Sequence, residues 1–349
     1  MKRFYFGLLC LVVLWGLSGC KGVIVSTVVN KDGSFDRTLS FNAGNEEKPN
    51  TLERYFVLPK GAGWKTERSS KPDYVTIDGK RHLQGYVSQY TATRKFGEGE
   101  SVEGDFAVKA SDLTWKPPIV VNCVTVQRLS PTRIEYREVL EWQGPRTDLE
   151  VYRKRLIRDD EMFACIQKQL PPNLLTPTNT PPFREALFRE MWRTVSGALI
   201  AGQEITDEKS KTMWVSLCSG MVERLLGTSF RSEITLEHRK KIARKSAEDF
   251  SRLEANYWAN MDGIKYASSE LNEFMVIMPG PIWETNGIRL KQGEWRANKQ
   301  YSGKEQKDGR GGKMSSNDFV SRCVAKWYFV PALCLLEPIE LRAVCEVKP

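Results

Sequence analysis

The period of the hydrophobic pattern changes twice along the chain. Residues 22–29, Gly-Val-Ile-Val-Ser-Thr-Val-Val, are a β-branched run that predicts a strand. Asn30-Lys31-Asp32-Gly33 is a turn signal, and Ser34 to Phe41 alternates apolar and polar as a returning strand, so a hairpin is expected. A polar loop follows over 42–50. Shorter strands are predicted over 52–60, 73–78 and 82–96, and longer ones from Ile119 to Gln127 and from Arg133 to Trp142. In the last of these Ile134, Tyr136, Leu140 and Trp142 share one phase, which Glu138 interrupts. Prolines 171, 172, 177, 181 and 182 mark a linker or domain edge.

Beyond it the spacing turns helical. Phe183, Ala186, Leu187, Met191, Val195, Ala198 and Leu199 form one stripe. A second helix starts near Thr206-Asp207-Glu208, with Met213, Leu217, Met221 and Leu225 inward and Gly227 as its stop. A third spans 233–260, with Ile234, Ile242, Ala243, Phe250, Leu253 and Tyr257 inward. Period two returns at 271–295, where Phe274 to Met278 is β-like and Asn286-Gly287 fits a type I′ hairpin turn. Residues 302–317 are hydrophilic and Gly-rich. The apolar run Val324 to Leu336, broken by Lys326 and Pro331, reads as either a core strand or a membrane-surface patch.

The expected fold is therefore α+β, an antiparallel β-sheet domain with an inserted helical bundle. Its segments are a β-rich domain over 20–170, a linker over 171–182 and a helical insertion over 183–265. A β hairpin at 266–300 rejoins the sheet, and a loop at 301–317 precedes a C-terminal segment at 318–349. A chain of 349 residues with 41% hydrophobic and 27% charged residues is long enough for about two domains, and disorder or a coiled coil is excluded as its overall description.

The first residues change the picture most. Lys2 and Arg3 precede a mostly apolar stretch from Phe4 to Leu17, too short to span a bilayer comfortably, and then Leu17-Ser18-Gly19-Cys20. Residues 1–19 read as a secretory signal. The last four residues resemble the lipobox of bacterial lipoproteins, which implies cleavage before Cys20 and acylation of its thiol and new amine. Cys20 is thus the expected lipidation site. The expected location is the cell envelope, extracytoplasmic and held to the membrane through N-terminal acyl chains. Two or more chains hold stably where one is marginal.

The net charge of +9 and the clusters Arg153-Lys154-Arg155…Arg158 and Arg239-Lys240-Lys241…Arg244-Lys245 would suggest nucleic acid in a cytoplasmic protein. The signal removes that partner and leaves solvated helix faces, anionic headgroups or acidic glycan. Cys123, Cys165, Cys218, Cys323, Cys334 and Cys345 remain after Cys10 and Cys20 are assigned to signal and anchor. They form disulfides or stay as buried thiols. No Cys-x-x-Cys is present.

Met278-Pro279-Gly280-x4-Thr285-Asn286-Gly287, with Trp295 eight residues on, resembles a stretch of LppM-type bacterial envelope lipoproteins. The resemblance is sharp over about this segment and loose elsewhere. It implies a β-rich extracytoplasmic domain, strands at 271–295 that join the N-terminal sheet, and no catalytic residues.

No cofactor, metal-ligand set or catalytic group is assigned by the sequence. His82 and His238 read as surface histidines, and Glu237-His238 lacks the second His of a zincin helix. The Gly-rich segment at 309–312 lacks the spacing of a P-loop. Asp159-Asp160-Glu161 and Glu46-Glu47 are acid clusters in expected loop or strand, where neighbours do not face one another. The expectation is a non-enzymatic binding or structural module with a possible envelope protein or glycan partner. The alternative is an envelope glycan-binding protein or glycan-acting hydrolase, which needs two facing carboxylates and exposed aromatics.

Overall fold

The computed structural model describes residues 22–77, 80–109, 118–144, 149–200, 208–258, 272–289, 322–329 and 331–347. The chain forms two units. The first takes everything through Gly144 and from Ser269 onward, and the second is Pro145–Ser268. The fold is α+β, with the helices inserted into the chain of the β unit.

The β unit holds a seven-stranded and a five-stranded sheet. The strands are β1 (Gly22–Val29), β2 (Phe35–Glu46), β3 (Lys65–Ile77), β4 (Lys80–Phe96), β5 (Val102–Lys109), β6 (Pro118–Ser130), β7 (Arg133–Trp142), β8 (Asn272–Ile277), β9 (Ile282–Thr285), β10 (Ile288–Arg289), β11 (Val324–Phe329) and β12 (Ile339–Glu346). The larger sheet has the order β10-β11-β8-β1-β2-β4-β3 and the smaller the order β5-β6-β7-β12-β9.

The expected first hairpin is present, in register from Gly22↔Asn42 to Val29↔Phe35. Gly33 takes φ +88° in its turn, a left-handed conformation that favours glycine. Strand β8 returns beside β1 in parallel, which antiparallel hairpins cannot do and the long inserted connection permits. Residues 324–329 are a core strand, with Trp327 and Phe329 wholly buried, which decides the reading of the C-terminal apolar run.

Strand periodicity explains the core between the sheets. On β1 Val23, Val25, Thr27 and Val29 share the buried phase, and on β2 Phe35, Arg37, Leu39, Phe41 and Ala43 do. Across the interior Phe106 of β5 meets Phe274 of β8 edge to face at 5.1 Å, and Tyr136 of β7 stacks on Trp327 of β11 at 6.2 Å.

Several elements differ from expectation. Residues 52–60 hold a 3₁₀ turn, Leu52–Arg54, and one bridge from Phe56 to Val108 instead of a strand. Strand β3 starts at Lys65 and pairs with β4 along a long ribbon. The β-rich stretch ends at Trp142 and not near 170. The helical unit opens with α1 (Leu149–Tyr152), a π-helical turn at Arg153–Ile157, and α2 (Asp159–Gln167). The Pro-rich segment therefore lies within the helical unit, and Pro181 and Pro182 sit in the first turn of α3 (Thr180–Ile200), where proline lacks only an N–H that has no helical partner.

Helix α4 (Glu208–Ser229) runs two residues past Gly227 and buries Met221 and Leu225 as expected, but in its first half Trp214 and Cys218 are buried, one step off the expected Met213 and Leu217, with Met213 37% exposed. Helix α5 (Leu236–Trp258) buries Ile242, Ala243, Ala247 and Phe250 and leaves Leu253 exposed.

Candidate functional site

The densest chemistry among the described residues lies between the two sheets. Arg37 occupies the inward phase of β2, Glu138 that of β7, Asn122 that of β6 and Thr27 that of β1, while Asp105 enters from β5. Arg37 and Glu138 are fully buried and Asp105 is 6% exposed.

All five guanidinium donors find acceptors. Nε donates to Asp105 Oδ2. Nη1 donates to Thr27 Oγ1 at 2.9 Å and to Glu138 Oε2 at 3.2 Å. Nη2 donates to Asp105 Oδ1 at 3.1 Å and to Glu138 Oε1 at 2.6 Å. Asn122 Nδ2 donates to Asp105 Oδ1 at 2.6 Å and to Glu138 Oε1 at 2.7 Å, and its Oδ1 accepts from the Phe106 backbone N–H at 2.9 Å. The Tyr136 hydroxyl donates to Glu138 Oε2.

Burial, and then the Glu138 charge, push the Tyr136 phenol well above its ordinary range, so it keeps its proton and donates. Burial opposes the charge on Arg37, but Asp105 and Glu138 outweigh it and hold the guanidinium protonated. Asp105 and Glu138 thus face each other with the arginine between them, buried and hydrogen-bonded to it on both sides. A satisfied polar cluster of this kind fixes how the sheets mate.

The Met278–Gly287 segment also carries structure. Contrary to expectation, Ile282–Thr285 and Ile288–Arg289 do not pair as a hairpin. Strand β9 pairs with β12 in the smaller sheet and β10 with β11 in the larger. Asn286-Gly287 is therefore the crossing between sheets. Asn286 Oδ1 accepts from Trp327 Nε1 and from the Arg342 N–H, both at 2.9 Å, and its Nδ2 donates to Glu340 O at 2.7 Å. The Thr285 hydroxyl donates to Arg342 O at 2.8 Å. These bonds to two sheets override the local turn preference. Trp295 lies outside the described residues.

The remaining candidates are dispersed. Cys20 lies outside the described residues. The six later cysteines form no disulfide with one another; five are buried and Cys123 is half-buried. Burial pushes Cys323 up to about 12 and Cys345 up to about 11, and raises Cys334 further. These thiols are protonated at neutral pH. The stability contributed by the neutral form of Cys323 and Cys345 is fully present below about pH 9 and is lost as pH rises through 11 to 12. A thiol-reactive dye at pH 8 should leave both residues unlabelled in the folded chain and label them at once in denaturant, as read by peptide mass. Rapid labelling of the folded chain would contradict this.

Asp159, Asp160 and Glu161 form the first turn of α2 and not a loop or strand, and they pair with Arg153, Arg184 and Arg158 respectively. That pairing absorbs much of the first basic cluster. In the second, Arg244 and Lys245 reach Glu248 and Asp249 one helical turn away. His82 and His238 are exposed. Glu46 is a buried acceptor for the Tyr55 hydroxyl at 2.9 Å. Trp283 is 59% exposed, with Arg133 4.7 Å from its ring centre.

A groove of about 270 Å³ in the helical unit is lined by Asn179, Pro182, Phe183, Ser229, Phe230 and Glu233, and so offers one ionisable side chain. Among the described residues no three His, Cys, Asp or Glu side chains gather as metal ligands.

The buried cluster was missed in the sequence, although it left a signal. Arg37 stands in the apolar phase of Phe35, Leu39 and Phe41, as Glu138 does between Tyr136 and Leu140. Opposite charges in the buried phase of two strands point to one another. No protein-family model, curated protein or solved structure matches this chain.

Proposed function

We propose that this chain is a lipid-anchored envelope lipoprotein, a binding or structural module held at a membrane surface by acyl chains on Cys20. The observation that carries the reading is Leu17-Ser18-Gly19-Cys20 placed directly before the fold. Strand β1 begins at Gly22, two residues after the acyl-acceptor cysteine, and it is an interior strand of the larger sheet. Its Val23 N–H is tied at once to Asn272 Oδ1 at 3.1 Å. A cut before Cys20 leaves every described strand whole and only Lys21 between the acyl-acceptor cysteine and β1.

Among the described residues no helix is long and apolar enough to cross a membrane. The module reading is supported by the sealed cluster at Arg37, whose carboxylates are engaged and closed to solvent. The Met278–Gly287 resemblance to LppM-type lipoproteins agrees with an envelope location. Its residues here perform a joining task between sheets.

Cys20→Ala should abolish acylation. The expressed wild-type chain partitions into the detergent phase, with an intact mass that lacks residues 1–19 and gains acyl groups. The variant keeps its leader or moves to the aqueous phase. A wild-type chain that retains Met1 and carries no acyl mass would refute the proposal.

A further inference from the structure

The β3–β4 ribbon extends beyond the sheet that carries it. Strand β2 last pairs with β4 at Glu46↔Tyr86, whereas β3 and β4 continue through Tyr74↔Leu83, Val75↔His82, Thr76↔Arg81 and Ile77↔Lys80. A two-stranded ribbon without a third strand is marginal in water and gains nothing from exposed apolar side chains. This one nevertheless leaves Tyr74 45%, Ile77 52% and Leu83 53% exposed.

Strand alternation puts Tyr74 and Leu83 on one face and Ile77 on the other. Cations are interleaved with them. Lys80 stands opposite Ile77, and Arg81 lies over the Tyr74 ring at 4.4 Å. Among the described residues Lys71, Lys80 and Arg81 make no ion pair, unlike Arg68 nearer the sheet, which holds Glu53 at 2.6 Å.

The direction of projection adds a second argument. Gly22 pairs with Asn42, and Asn42 with Gln89, so β4 passes the start of β1 at Gln89 and runs on to Lys80. The ribbon leaves the larger sheet at the same end as the chain leading back to Cys20.

We propose that the ribbon tip, Tyr74–Ile77 with Lys80–Leu83, is a second membrane contact that enters the headgroup layer of an anionic bilayer. The orientation rests on the anchor at Cys20. Tyr74, Ile77 and Leu83 reach the boundary with the acyl chains, and Lys71, Lys80 and Arg81 meet lipid phosphates. A protein groove covers one face of a strand pair, whereas a strongly twisted ribbon lying in an interface turns both faces toward lipid in succession. Strand addition along the β3 edge is opposed by Lys65, Lys71, Pro72 and the bulge between Asp73 and Tyr74.

Hydrogen exchange read by mass spectrometry tests this on the full chain isolated from membranes, placed in vesicles of phosphatidylglycerol or of phosphatidylcholine. Exchange over 74–84 should slow about tenfold in phosphatidylglycerol and little in phosphatidylcholine. Ile77→Asp with Leu83→Asp, or Lys80→Glu with Arg81→Glu, should remove the slowing without lowering the melting temperature, because these side chains are exposed. Equal exchange in both lipids overturns the proposal. So does slowing that follows protein concentration, which would make the tip a self-association edge. The intact mass of the same sample reports acylation at Cys20, so loss of the anchor is distinguished from loss of the ribbon contact.

Discussion

Arg37→Met should lower the stability of the β unit by about 3–5 kcal/mol at neutral pH, the range for removing one partner from a buried ion pair. The reason is what the substitution leaves behind. Asp105 and Glu138 lose the group that accounts for four of their hydrogen bonds, and among the described residues Asn122 and Tyr136 are left as their side-chain donors. Two desolvated carboxylates left without the cation between them repel each other, which adds to the cost.

Urea midpoints of variant and wild type at pH 7 are the measurement. A deficit under about 1 kcal/mol would mean that the Asn122 and Tyr136 donors suffice to hold both carboxylates.

The same cluster shows where the sequence is informative and where it is not. The β1–β2 hairpin, strands β6 and β7 and the three long helices follow from period and turn residues, which are local, whereas the pairing of β8 with β1 is expected only from the family resemblance. Arg37 finds Asp105 68 residues away and Glu138 101 residues away, on the opposite sheet. One strand at a time, each looks like a blemish in an apolar phase.

Asn286-Gly287 fails in the opposite sense. Its local signal is strong, and tertiary bonds from Asn286 to Arg342, Glu340 and Trp327 overrule it. The helices over 149–167 are short, heavily charged and joined through Arg158 at φ 56°, so they carry little periodic signal. What holds them includes ion pairs such as Arg153 to Asp159, which no spacing rule foretells.

Gly280→Ala is expected to be the most damaging single methyl addition in the β unit. An ideal Cβ at this position lies 1.9 Å from Glu346 O and 3.0 Å from its carbonyl carbon. Both are backbone atoms, so no side chain can swing aside. Strand β12 is held on one side by β7 and on the other by β9, and its Glu346 N–H donates to Pro281 O at 3.1 Å. The methyl must displace the end of an interior strand or break that bond. Overpacking of this kind costs about 1–3 kcal/mol and occasionally more, and the short approach to rigid backbone places Gly280→Ala at the upper end.

Gly287→Ala meets Trp327 Cε2 at 2.4 Å and should also pull the indole from Asn286. Gly197 is the control. It lies within α3, and an added Cβ there meets nothing within 4 Å, so alanine should stabilise that helix by about 0.5–1 kcal/mol. Denaturant midpoints of the three variants should therefore move in opposite directions. A neutral Gly280→Ala would show that the Met278–Gly280 segment can leave β12 without loss, and the close joining of the two sheets at that corner would not contribute to stability.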